Sequence, residues 1–274
     1  MRRSATTLLL VFAGTMARAY TTINCDRAGV PLTAVLFILI CGTVMSTTAL
    51  ASQDVLDTGL STDSYRQDEI PAGWKLRKSS SASKRGKAQW SVNDDVHAVR
   101  LYSDAALTFL EKTVNIDVKE HPIVSWKWKI ENTLQGIDER THAGDDHPIR
   151  IFFVFEPDDS KQSWWFRFKR FLYLDWAHGH PFGGGFTEYV WSSHLEAGET
   201  INDPGKPSQK LMVVEGGDKN VGQWRSYERN LYQDFLSLYG KEPRRLIFIG
   251  ILNDTDQTGQ TATSYIVDLK FSKH

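Results

Sequence analysis

The sequence predicts an all-β fold, an antiparallel β-sandwich with one or two packed helices. Three observations carry that reading: an alternating stretch at Ile123–Ile130, two continuous apolar runs, and eight strand-like segments against two helical ones. In the first, Val124, Trp126, Trp128 and Ile130 share one face while Ser125, Lys127 and Lys129 share the other, the period of a half-buried strand. Ile149–Phe155 and Leu246–Leu252 are apolar throughout, as strands covered on both faces are. Further strands are expected at Val99–Tyr102, Thr113–Val118, Thr187–Trp191, Lys210–Glu215 and Tyr265–Phe271. A helix is expected over Tyr227–Tyr239, with Leu231, Phe235 and Leu238 at helical spacing, Ser226 as N-cap and Gly240 past its end. A second, Trp164–Trp176, sets an apolar stripe of Trp164, Trp165, Phe168, Phe171 and Leu172 against Arg167, Lys169 and Arg170. Many short strands without regular strand–helix alternation favour a sandwich over a parallel α/β sheet.

Composition narrows the function classes. The 274 residues carry 32 basic and 33 acidic groups, a net charge of -1, which argues against a nucleic-acid-binding protein. With 41% hydrophobic and 24% charged residues the chain can bury a core, so disorder is excluded as its general state. Residues 1–51 read as a signal peptide with a long n-region, in which translation starting at Met16 is an alternative. Arg18 and Arg27 precede an apolar h-region, Ala34–Met45, and Ala49-Leu50-Ala51 forms an A-x-A cleavage site. Twelve residues fall short of the ~20 that span a bilayer as a helix, so cleavage is favoured over an N-terminal membrane anchor. Cleavage removes Cys25 and Cys41, the only cysteines, and leaves a mature chain of net charge -4. That chain has no disulfide to rely on, and a periplasmic or secreted location is expected. Residues 52–68 read as a polar tether and residues 69–274 as one β-sandwich domain.

Four motifs stand in order: Gly144-Asp145-Asp146 leading into Arg150–Phe155, Tyr189-Val190-Trp191-Ser192, Arg229-Asn230 with Asp234, and Asn253-Asp254-Thr255-Asp256-Gln257-Thr258-Gly259. Their order and spacing resemble the bacterial family catalogued as domain of unknown function 3047, over roughly Gly73 to Phe271. The resemblance implies export and assigns no activity. The wider pattern, ending in Tyr265–Phe271, is similar to galactose-binding-like jelly rolls, which implies carbohydrate binding by analogy only.

Several residues could carry chemistry. Asp254, Asp256 and Thr258, followed by Gly259, space oxygen ligands as calcium loops do. The twelfth position of an EF-hand would fall on Tyr265, so the loop is no EF-hand and reads either as a Ca2+ ligand set completed from elsewhere or as a turn with an ion pair. Asp145 and Asp146 point to opposite sides of an extended chain, and one of them is expected to pair with Arg150 or Arg229. A hydrolase would instead set Asp145 or Asp146 with Glu188 or Glu215 across a sugar bond, ~5–9.5 Å apart. Asn230 and Asp234 form an i,i+4 pair if their segment is helical. His178-Gly179-His180 lacks companion ligands for a zinc site. Trp165, Trp176, Trp191 and Trp224 fall near strand ends and loops, where an indole can stack on a sugar ring, while Trp126 and Trp128 belong to the core. An exported sandwich that binds a carbohydrate or another ligand, with no enzymatic activity assigned, is therefore the leading reading. A carbohydrate-active hydrolase is the alternative, and a protein resting Trp164–Trp176 on a membrane is the third.

Overall fold

The computed structural model describes residues 54–77, 85–157, 185–204 and 209–274. The chain's contacts divide it between Ala49 and Leu50, and every described residue belongs to the second unit. Among the described residues thirteen strands and one α-helix follow in the order β1 (Val55–Asp57), β2 (Lys75–Arg77), β3 (Lys87–Asn93), β4 (Val96–Asp104), β5 (Leu107–Ile116), β6 (Ile123–Ile130), β7 (Ile149–Phe155), β8 (Phe186–Ser192), β9 (Thr200–Asn202), β10 (Lys210–Gly216), β11 (Arg225–Asn230), α1 (Leu231–Tyr239), β12 (Leu246–Asp254) and β13 (Thr261–Ser272). A six-stranded sheet runs β11-β6-β13-β4-β3, with β1 added on β13, and a seven-stranded sheet runs β2-β5-β12-β7-β8-β10-β9. All pairs are antiparallel except β8 with β10, which run parallel, so the second sheet is mixed. Among the described residues no helix is long and apolar enough to cross a membrane.

The sheets meet face to face through aromatic side chains. Trp126 and Trp128 are fully buried, and across the interface Trp126 stacks on Tyr189 at 5.3 Å while Trp128 meets Trp191 at 6.2 Å. Phe153 of the second sheet packs edge-on against Phe271 of the first, at 6.2 Å. The alternation of Ile123–Ile130 is thus realised as read, with the indoles inward and Lys127 on the outer face. The outer faces of β7 and β12 are buried as well: Val154 and Phe248 join Phe109 and Phe186 of the neighbouring strands in a second apolar cluster. That cluster accounts for the continuous apolar runs.

Three expectations need correction. Residues 52–68 are not simply a polar tether: β1 pairs with the end of β13, Leu60 is fully buried, and Thr58 Oγ1 donates to the Leu269 carbonyl at 2.7 Å. Leu56 and Tyr65 pack against the same core, and the backbone of β1 does the pairing. The helix expected from Tyr227 starts at Leu231, since Arg225–Asn230 pairs with β6 as an edge strand. Its N-cap is therefore Asn230, whose Oδ1 accepts from Gln233 N at 2.9 Å, while Ser226 lies in β11. Gly240 closes the helix in the left-handed conformation, φ 63°, as its position implied. Trp164–Trp176 and His178-Gly179-His180 lie outside the described residues.

Candidate functional site

Arg150 organises the outer face of the seven-stranded sheet. Its neighbours Ile149 and Ile151 point into the core, so the guanidinium points out, and register sets it beside Val190 of β8 and Leu252 of β12. Two residues further along those strands, on the same face, are Glu188 and Asp254. Arg150 Nη1 lies 3.4 Å from Glu188 Oε2 and 3.5 Å from Asp145 Oδ1, and Nη2 lies 3.0 Å from Asp254 Oδ2 and donates to the Asp145 carbonyl at 3.0 Å. Burial works against the cation, but the Glu188, Asp254, Asp145 and Asp203 carboxylates outweigh it and hold Arg150 above the ordinary arginine range. Asp145 is the member of the acidic pair that takes Arg150, as one of the two was expected to.

Asp146 turns the other way, toward the β12–β13 loop, and is fully buried. Its Oδ2 accepts from Thr258 N at 2.8 Å. Gly144 lets this segment close, since a Cβ there would stand 2.3 Å from the Asp138 carbonyl oxygen. Gly259, at φ 68°, returns the chain so that its N–H reaches Thr255 O at 3.0 Å. Asp254 N donates to His147 O at 3.0 Å, which ties the two loops together. One ligand oxygen from each of Asp146, Asp254 and Asp256 lies within 4.8 Å of the others. Burial pushes the Asp254 carboxyl up to about 7; Arg150 opposes the rise, and Asp256 and Asp146 add to it. Thr258 N donates to Asp146 and Oγ1 accepts from Gln260 N at 3.4 Å. Asp146 joins the two expected aspartates in the group. Neighbouring His147 faces Glu139, with Nε2 3.7 Å from Oε1, and burial followed by Arg150 holds its pKa well below the usual histidine value.

The remaining candidates gather at the opposite edge, where β11 faces β8 and β10. Glu215 accepts from Arg225 Nε at 3.1 Å, from Asn220 at 3.1 Å and from the Tyr227 hydroxyl. Burial would raise its pKa, but those three hydrogen bonds bring it below the ordinary glutamate value. Glu188 and Glu215 are thus each engaged by a different arginine, and neither is set as a free acid facing Asp145 or Asp146. Arg229 makes two hydrogen bonds of 2.7 Å to Asp234, whose Oδ2 also accepts from Tyr189 at 2.6 Å. The expected Asn230–Asp234 pair is replaced by this one, because Asn230 is spent capping α1. Trp191 is no surface platform: it is fully buried, and Nε1 donates to the Gly217 carbonyl at 3.1 Å. A strand end proved to be inside because its indole faces Trp128 of the other sheet.

Trp224 differs. It lines a groove of about 490 Å³ on the six-stranded sheet, together with Thr62, Asp95, Val96, His97, Lys127, Ser226 and Asp268. Lys127 and Ser226 are register partners on adjacent strands. Asp268 adopts φ 58° where the β13 register shifts, and that irregularity turns its carboxylate between Lys127 and Lys270, 3.3 Å from each. Asp94 and Asp95, both at positive φ, make the tight β3–β4 turn at the rim. His97 stacks on Tyr65 at 4.1 Å. Of these residues, sequence reasoning offered only Trp224 for binding. The Asn93-Asp94-Asp95-Val96 turn could have been found from its chemistry, whereas nothing local marked Asp268.

Fold and sites together define a two-sheet β-sandwich with a buried arginine–carboxylate hub and an open outer groove. The chain belongs to the family described as protein of unknown function (DUF3047), whose model matches residues 72–270. No curated protein matches the chain. Among solved structures it is similar to the family 30 carbohydrate-binding module of the cellulosomal cellulase CEL9D-CEL44B of Clostridium thermocellum, at 8% identity, over 76% of this chain and 95% of that one, with a TM-score of 0.37.

Proposed function

We propose that this chain is an exported β-sandwich that binds a carbohydrate, without turning it over, in the groove beside Trp224. The observation that carries the reading is the lining of that groove. An indole ring stands with a Lys127–Asp268 ion pair, a serine hydroxyl and an imidazole, donors and acceptors around one apolar surface. A sugar ring presents the complement, an apolar face edged with hydroxyls. The volume of about 490 Å³ suits one or two such rings. The buried acids support binding over hydrolysis, since Glu215 and Asp145 are held by arginines.

Affinity electrophoresis through gels containing neutral and acidic polysaccharides is the test. Retarded migration with at least one polysaccharide is expected, and Trp224→Ala should weaken it about 30-fold, the effect of losing a central aromatic anchor worth ~2 kcal/mol. Unretarded migration in every gel, or retardation that Trp224→Ala leaves intact, would overturn the proposal. Release of reducing sugar would move the protein to the hydrolases. Export is supported by the start of β1 at Val55, just beyond the A-x-A site. Mass spectrometry of the mature protein should find Ser52 as its first residue, and a retained Ala34–Met45 segment would mark an anchor instead.

A further inference from the structure

We propose that Asp146, Asp254 and Asp256 form a divalent-cation site of calcium type, pinning the β12–β13 loop to the segment that enters β7. Their ligand oxygens lie within 4.8 Å of one another, the span open to oxygens on a single ion with bonds of ~2.3–2.6 Å. Proximity of acids alone would not make a site. The second observation is the state of Asp254, which is only 6% exposed: Oδ2 is taken by Arg150, whereas Oδ1 is buried and has no hydrogen-bond partner. A carboxylate oxygen withdrawn from water and left without a donor is unfavourable, and a cation between the three aspartates supplies what it lacks.

The chemistry of the set selects the ion. All three ligands are hard carboxylate oxygens, which suit calcium or magnesium and not zinc or copper. Neighbouring His147 is directed at Glu139 and offers no nitrogen to the group. Magnesium is usually held by one or two carboxylates and keeps most of its water, so three carboxylates favour calcium. Asp256 is exposed, which gives an ion a way in and leaves one side of its shell to water. The backbone is arranged beforehand: Thr258 N holds Asp146 in place, and Asp254 N bonds the His147 carbonyl. Neither link requires the ion, so the apo site is already assembled.

The test uses the protein treated with chelator and then dialysed free of it. Calcium chloride and magnesium chloride are titrated separately by isothermal calorimetry, with thermal melts at each concentration. Saturable one-site calcium binding is expected, with Tm rising as calcium rises and magnesium at least tenfold weaker. Asp256→Asn should lower calcium affinity at least tenfold while leaving the cation-free Tm no lower than wild type, because burial and the neighbouring Asp146 already disfavour its charge. Asp146→Asn should lower affinity as well, and calcium should protect that variant less from unfolding. Absence of both heat and Tm shift in the wild type would overturn the site. Unchanged calcium affinity in Asp256→Asn would overturn the ligand assignment, and equal magnesium affinity would overturn the calcium assignment.

Discussion

Replacing Arg150 with methionine is expected to destabilise the protein by ~3–5 kcal/mol, the loss that follows when one partner leaves a buried ion cluster. The guanidinium is 5% exposed, and Asp145, Glu188 and Asp254 all lie within 3.5 Å of its nitrogens. Methionine keeps most of the volume, so the loss isolates the charge. Arg150→Lys should recover only part of it, because an ammonium cannot bond three carboxylates and a carbonyl from one planar fork. Adding Glu188→Gln to Arg150→Met should restore stability relative to the single variant, since one fewer charge is stranded. Urea unfolding of the four proteins checks this. A loss under 1 kcal/mol for Arg150→Met would show that the hub is solvated in solution.

A loss of similar size, ~3–5 kcal/mol, is expected for Trp128→Ala. Trp128 is fully buried between the sheets, within 5.3 Å of Trp126, 5.7 Å of Tyr227 and 6.2 Å of Trp191. Removing an indole from this group opens a cavity that the rigid strands on either side cannot close. Trp128→Phe should cost less than half as much, because a ring still fills most of the space. The near-ultraviolet circular dichroism of Trp128→Ala should lose intensity with its Tm, since neighbouring rings fix that signal. A Tm within a degree or two of wild type would mean the sheets repack.

Trp126 and Trp128 were legible as core residues because hydrophobic alternation encodes which face is buried. Arg225–Asn230 was not legible as a strand, although it pairs with the same β6. Its inward face carries Arg225, Tyr227 and Arg229, whose polar groups are met by Glu215 and Asp234. A linear pattern records polarity and is silent about such partners. The same limit governs the candidate sites. Aspartates 145, 146, 254 and 256 could be picked out by type and spacing, yet Arg150 meets Glu188 across 38 positions and Asp254 across 104. Asp146 joins Asp254 only because β7 and β12 are neighbours, which sheet order decides. β1 escaped notice for a different reason: three residues are too few to show a period.

The place of β13 has a consequence for biosynthesis. The twelve residues Thr261–Ser272 come after every other described strand in the chain, yet they lie in the middle of the six-stranded sheet, between β6 and β4, and also hold β1. A nascent chain cannot complete that sheet before Thr261–Ser272 is made: β6 and β4 wait, unjoined, until β13 leaves the ribosome. Contacts that bridge so much sequence close slowly. Loss of Thr261–Ser272 would remove the seam of the sheet, whereas clipping β1 would remove three residues that pair with β13 alone.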